Sequence, residues 1–284
     1  MKELTARAIT EEVERLFLSA GYCIGADVAE AIDQGLAREA SPAGRAALEQ
    51  IAENYRIARD RSMPICQDTG MAVVFADVGQ DLHIIGGALE EAIHEGVRRA
   101  YTGGYLRKSV VRDPLFDRVN TGDNTPAVIH TRIVPGHTLR LLVTPKGFGS
   151  ENMSAIRMLT PADGVEGVKR FIIETIEAAG PNPCPPVIIG VGIGGTMEKA
   201  ALLAKRMTAR PVGSKNPDAR YQALEEELLA ALNRTGIGPA GTGGLVTALA
   251  VNIDRYPTHI AGLPVAVNVC CHAARHAESE MMPE

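Results

Sequence analysis

The chain has 284 residues, 45% of them hydrophobic and 22% charged, a length for one large domain or two closely packed ones and a composition that excludes disorder, collagen-like repeats and disulfide-stapled miniproteins. Its net charge of −5 leaves no basic field for a polyanion. With no tryptophan and only 4% aromatic residues, it has little from which to build a base-stacking platform, so nucleic acid is not expected as a partner.

The N-terminal run MKELTARAITEEVERLF is charged and amphipathic and has no apolar signal-peptide core. Thr10 precedes Glu11 and Glu12, and Val13, Leu16, Phe17 and Ala20 recur at helical spacing. Ser41-Pro42 predicts an N-cap with proline at the first helical position, followed by the stripe Leu48, Ile51, Ala52, Tyr55. After Asp68 the texture turns to short β-rich runs, MAVVFADV, AVIHTRIV and TLRLLVTP, with one helix from Ala88 to about Tyr101. A further amphipathic helix spans Pro161 to Ala179. The buried strand VIIGVGIG leads into the helix TMEKAALLAKRM, another helix covers roughly Ala219–Asn233, and the apolar strands LVTALAVNI and PVAVNV follow. Three long uncharged stretches, Ala178–Met197, Thr235–Ile253 and Tyr256–Ala274, are interrupted by proline and glycine and read as buried strands and turns rather than membrane spans. A cytoplasmic protein without a membrane partner is expected. The fold class is α+β (mixed): a helical part over residues 1–60 packed on a body of short strands and helices over 61–284, with no repeat or linker dividing them.

Chemistry is expected on the loops. Pro64-Ile65-Cys66-Gln67-Asp68-Thr69-Gly70 sets a thiol, an amide, a carboxylate and a hydroxyl in succession, although Asp-Thr-Gly is also an ordinary turn. Arg107, on the loop Gly103–Ser109 ahead of Asn120–Pro126, has the planar fork that clamps a carboxylate, although a solvated basic loop looks the same. Lys146–Ser154 is glycine-rich between a strand and a helix and offers backbone N–H groups to an anion. Gly190–Gly195 spells GxGxxG, but a dinucleotide site also needs a second strand ending in an acidic residue about 20 positions on. Lys205, Arg206, Thr208 and Arg210 stand there instead.

The five cysteines, Cys23, Cys66, Cys184, Cys270 and Cys271, include no CxxC pair, and their odd number in a chain of this kind argues against a disulfide framework. Cys184 is held between Pro183 and Pro185, a stiff mount. Cys270 and Cys271 follow the last apolar strand and, if extended, point to opposite faces. Three thiolates from separate loops suit an iron–sulfur cluster with one iron unligated, which is one option among several, since their spacing is no motif.

Six stretches carry a resemblance: PICQDTG, GYLRKSVV, NTGDNTPAVIH, KGFGSENMS, NPCPPVIIGVGIGGTMEKAALLAK and YPTHIAGLPVAVNVCCHAARH. Through them nearly the whole chain resembles the α subunit, or N-terminal half, of class I (iron–sulfur) fumarate hydratases, a family that includes L-tartrate dehydratases. The resemblance implies that residues 1–284 form one catalytic domain of this type. It implies a 4Fe–4S cluster held by Cys66, Cys184 and Cys271, with the open fourth iron binding a dicarboxylate. It further implies Asp68 as catalytic proton donor and Gln67, Arg107 and Gly149 as substrate-binding residues, with Gly147 the alternative to Gly149. The partner implied is a β subunit that completes the site, in an α2β2 heterotetramer. The GYLRKSVV and KGFGSENMSAIRMLTPADG stretches resemble the fumarate branch, so reversible hydration of fumarate to L-malate is expected, with L(+)-tartrate dehydration as the alternative. An NADP-binding oxidoreductase or a non-enzymatic scaffold is the reading from a different class.

Overall fold

A computed structural model describes residues 2–283. The chain begins with strand β1 (Lys2–Thr5) and helices α1 (Ala6–Tyr22), α2 (Ala26–Arg38) and α3 (Pro42–Asp60). Strands β2 (Met71–Gly79) and β3 (Leu82–Ile85), helix α4 (Leu89–Gly103) and strands β4 (Val128–Val134) and β5 (Leu139–Lys146) follow. Next come the single turn α5 (Phe148–Glu151), β6 (Ala155–Leu159), α6 (Gly164–Ala179), β7 (Val187–Gly194) and α7 (Met197–Met207). Helix α8 (Ala219–Asn233) and strands β8 (Ala248–Tyr256), β9 (Leu263–Cys270) and β10 (Ala277–Met281) complete the chain.

The expected mixture of helices and strands is present, and the first sixty residues are helical. Helix α1 starts earlier than Thr10 suggests: Thr5 is its N-cap, its side chain accepting from the Ala8 N–H, and Thr10 instead lies inside the helix and donates to the Ala92 carbonyl. Ser41 caps α3 as its sequence predicts, accepting from the Gly44 N–H at 3.3 Å. Strands β1, β3, β6 and β10 have no counterpart in the sequence reading. Each has four or five residues, which is too short for alternation to stand out.

The chain forms two compact units. The first contains Met1–Gly25, Tyr55–Phe148 and Arg275–Glu284, and the second Ala26–Asn54 and Gly149–Ala274. In the first, a four-stranded sheet of order β10-β5-β2-β4 is joined by the parallel pair β1-β3. The buried stripes of α1 (Ile9, Val13, Leu16, Phe17) and α4 (Ile93, Val97, Ala100, Tyr101) meet alternate residues Val74 and Ala76 of β2 and Leu139, Leu141 and Val143 of β5.

The second unit holds a sheet of order β6-β9-β7-β8. Every residue of β7 is buried, because helices cover both faces. Val187, Ile189, Val191 and Ile193 share a core with Phe171 and Ile172 of α6 and Leu228 and Leu232 of α8. The opposite face of β7 presents Gly190 and Gly192 to α7. A Cβ on either would stand 2.1 Å from the Ala204 carbonyl oxygen or 2.0 Å from that of Ala200. The first two glycines of GxGxxG therefore let a helix lie directly on a strand, and that accounts for them without a nucleotide. No described helix is long and apolar enough to cross a membrane.

Candidate functional site

In the first unit the loop between α3 and β2 is fastened from several sides. The Ile65 N–H donates to the Gly21 carbonyl at 3.0 Å, and the Ile65 side chain is buried. Thr69 Oγ1 donates to the Arg107 carbonyl at 3.0 Å, and Tyr101 donates to the carbonyls of both Thr69 and Gly70 at 3.0 Å. Burial raises the Tyr101 pKa well above its ordinary value; Arg275 opposes that rise and Asp68 adds to it. The phenol thus stays a donor. Asn124 accepts from the Ser109 N–H at 2.7 Å and donates to the Gly70 carbonyl at 3.1 Å. Gly70 has φ +83°, and a Cβ there would lie 2.7 Å from the Pro145 carbonyl carbon, so only glycine fits this crossing.

These bonds present Cys66, Gln67 and Asp68 at the surface of the unit. Cys66 and Asp68 are half-buried, Gln67 is exposed, and the Cys66 thiol lies 3.5 Å from Gln67 Oε1. The Asp68 carboxylate accepts from the Gly70 N–H at 3.0 Å through Oδ1 and from the Phe148 N–H at 2.8 Å through Oδ2. Its direction is set by both the β2 turn and the end of β5. Arg107 is exposed and makes no ion pair among the described residues. A Cβ built on Gly147 would stand 3.3 Å from Asp68 Oδ2 and 3.5 Å from Arg275 Nη2. Arg275 is only 2% exposed, and its buried Nε and Nη1 have no hydrogen-bond partner among the described residues. Sequence reasoning passed over this arginine inside CCHAARH. The signal it missed was a cation following an uncharged run.

In the second unit β7 and β9 pair antiparallel with Ile188 opposite Cys270. This brings the loop before β7 back against the residues that follow β9. The His272 N–H meets the Cys184 carbonyl at 3.4 Å. Cys184 is exposed with φ +54°, a left-handed conformation that non-glycine residues adopt at a cost of order 1–3 kcal/mol. Cys271 is half-buried and Cys270 buried, in keeping with the opposed faces of neighbouring strand residues. Gly149 is exposed, and a Cβ on it would stand 3.9 Å from the Asn182 carbonyl oxygen, two residues before Cys184. Gly147 and Gly149 therefore fall in different units, one beside Asp68 and the other beside the Cys184 loop.

No cysteine forms a disulfide. Among the described residues, no three His, Cys, Asp or Glu side chains gather as the ligands of a single metal ion would. A cubane cluster makes a different demand, with each thiolate on its own iron. The chemistry of the donor set suits one: Cys66, Cys184 and Cys271 are thiols that each reach solvent, and the Cys184 carbonyl accepts from the N–H of His272, the residue after Cys271.

Residues 10–280 match the family described as Fumarate hydratase (Fumerase). The chain belongs to that family. It is accordingly a hydro-lyase, and several relatives extend the likeness along nearly its whole length. A protein of Methanocaldococcus jannaschii named "Putative L(+)-tartrate dehydratase subunit alpha" is 40% identical over 95% of this chain and 96% of its own. The L(+)-tartrate dehydratase subunit alpha of Escherichia coli strain K12 is 33% identical over 96% of this chain and 91% of its own, as is that of Shigella sonnei. The family match spans both units, so the fumarate hydratase likeness includes the Asp68 loop and the Cys184 loop alike.

Proposed function

We propose that this member of the family is the α subunit of an iron–sulfur hydro-lyase that reversibly hydrates fumarate to L-malate, and that a separate β subunit completes its site in an α2β2 assembly. The observation that carries the reading is the fastening of Asp68 between the Gly70 and Phe148 N–H groups, in a loop tied by Thr69 to Arg107. A carboxylate of fixed direction and an arginine outside any ion pair suit a reaction that moves a proton on a dianionic substrate.

Cys66, Cys184 and Cys271 are the residues that would hold the 4Fe–4S cluster. When bound, the cluster supplies one open iron as a Lewis acid for the substrate hydroxyl and carboxylate. Arg107 presents two N–H groups to one substrate carboxylate, matching its bidentate geometry. Gln67 lies next to the first ligand and offers an amide to the same substrate. Gly149, without a side chain, lets the substrate come close to the backbone. Asp68 delivers the proton to the substrate carbon in hydration and receives it in dehydration.

The names of the relatives favour a second reading, dehydration of L(+)-tartrate, which differs from malate by one hydroxyl. A pocket that hydrogen-bonds that hydroxyl separates the two diacids strongly. The test combines this chain, its cluster assembled without oxygen, with and without the β subunit, and supplies fumarate, L-malate and L(+)-tartrate in turn. The proposal expects malate from fumarate only when both chains are present. Full turnover by this chain alone contradicts the shared site, and higher kcat/KM on tartrate transfers the assignment to the second reading.

A further inference from the structure

The strand β9 carries a polar residue that neither the core nor the proposed chemistry explains. In the run Val265–Cys270 the one polar side chain before Cys270 is Asn268, only 6% exposed. Burying an amide is costly unless its hydrogen bonds are met. Asn268 Nδ2 donates to Glu151 Oε2 at 3.0 Å and to Ser154 Oγ at 3.0 Å, whereas its Oδ1 has no partner among the described residues. A residue kept only to fill space would be apolar here, as its neighbours Val267 and Val269 are.

What Asn268 holds is the segment that follows Gly149. Glu151 accepts from Asn268 through Oε2 and from Lys205 through Oε1. Ser154 Oγ takes the Val269 N–H as well, at 3.1 Å, and the turn between them is closed by Met153 N–H to the Ser150 carbonyl and Ser154 N–H to the Glu151 carbonyl. Residues 150–154 are thereby tied to β9 on one side and to α7 on the other. Both mounts are rigid. Gly190 of β7 has Asn268 opposite it on β9 and Asn252 opposite it on β8. Helix α7 lies on the bare backbone of Gly190, and Asn252 Nδ2 donates to the carbonyls of Met207 and Arg210 at its end. The Asn252–Gly190–Asn268 row thus fixes the last turn of α7, from which Lys205 reaches Glu151.

We infer that Asn268 and Glu151 form a positioning latch that holds the 149–154 segment where Gly149 meets the substrate, so that they set substrate affinity rather than cluster assembly. The inference rests on the reading that Gly149 is a substrate contact. Three residues beyond Asn268 the same strand delivers Cys271, and Gly149 passes the loop of Cys184. One strand therefore positions a cluster ligand with its backbone and a substrate loop with its side chain. Small displacements of such a loop are costly, because binding depends on near-contact geometry.

The test uses Asn268→Asp, which turns a donor into a carboxylate facing Glu151, and the double variant Asn268→Asp with Glu151→Gln, which exchanges donor and acceptor and keeps both bonds. Amide hydrogen exchange over residues 147–155 is measured on the full chain. KM and kcat for L-malate and iron content are measured on the cluster-loaded heteromer. The single variant is expected to speed exchange about tenfold and raise KM about tenfold, with kcat within about threefold and iron unchanged; the double variant is expected to restore both. Unchanged exchange in the single variant overturns the latch itself. Faster exchange with unchanged KM overturns instead the placement of Gly149 against substrate. If the single variant does not fold, Ser154→Ala removes one acceptor of the same amide, and an effect of about threefold on exchange and KM is expected; no effect on either overturns the inference.

Discussion

Asp123 illustrates how single side chains hold the candidate site in shape. Its Oδ1 accepts from the Thr125 N–H at 3.0 Å and hydroxyl at 2.8 Å, and its Oδ2 accepts from Arg98 Nε at 2.9 Å. The turn so formed carries Asn124, whose amide grips the Gly70 carbonyl behind the Cys66 loop. Partial burial of Asp123 works to raise its pKa, but the Thr125 and Arg98 hydrogen bonds outweigh it and bring the carboxyl from 3.8 down to about 2. A carboxyl depressed in the folded state stabilises the fold above its unfolded pKa, and that contribution fades as pH falls through the folded value. Asp123→Ala should therefore be less stable than the wild type near neutral pH. The difference between their urea midpoints should shrink below about pH 4 and go on shrinking as pH falls through about 2. A difference that stays constant across that range would mean that the charge of Asp123 contributes nothing.

At the scale of elements, the glycine face of β7 decides how the second unit packs. Because α7 rests on Gly190 and Gly192 at backbone distance, even one added methyl group forces the helix off the sheet. Gly192→Ala is expected to cost roughly 1–3 kcal/mol, read as a lower denaturant midpoint. An unchanged midpoint would show that α7 can shift without loss. This strand also marks what the sequence discloses. Long elements with a clear period were legible: α8 spans the expected Ala219–Asn233, and β7 is VIIGVGIG itself. The edge strand β6 and the terminal β10 were not, because each has five residues, none of them buried, too few for a period to stand out. The candidate site was legible as separate loops only. That Gly147 lies beside Asp68 follows from the β2–β5 pairing, Met71 opposite Lys146, and that Cys184 meets His272 follows from β7–β9. Neither register can be read from one strand alone. Glu151 and Asn268 were missed as actors because nothing local separates them from an ordinary surface charge or a turn residue, whereas Arg275 had a local signal, its place directly after an uncharged run.

Across the whole molecule, Cys66 belongs to the first unit and Cys184 and Cys271 to the second. Each unit has its own sheet and its own apolar core, so the chain does not require a cluster to build either core. Replacing a ligand should then remove iron without unfolding the protein, which makes the central claim accessible to direct analysis. Cys270 is the internal control: it neighbours Cys271 but is buried in β9. The most direct measurement is iron and acid-labile sulfide per chain, determined without oxygen on the wild type beside Cys66→Ser, Cys184→Ser, Cys271→Ser and Cys270→Ser. A cluster on the three named thiolates predicts about four irons and four sulfides in the wild type and in Cys270→Ser, and a sharp loss in each of the other three. Wild-type protein that takes up no iron or sulfide, or loss in Cys270→Ser with retention in Cys271→Ser, would contradict it.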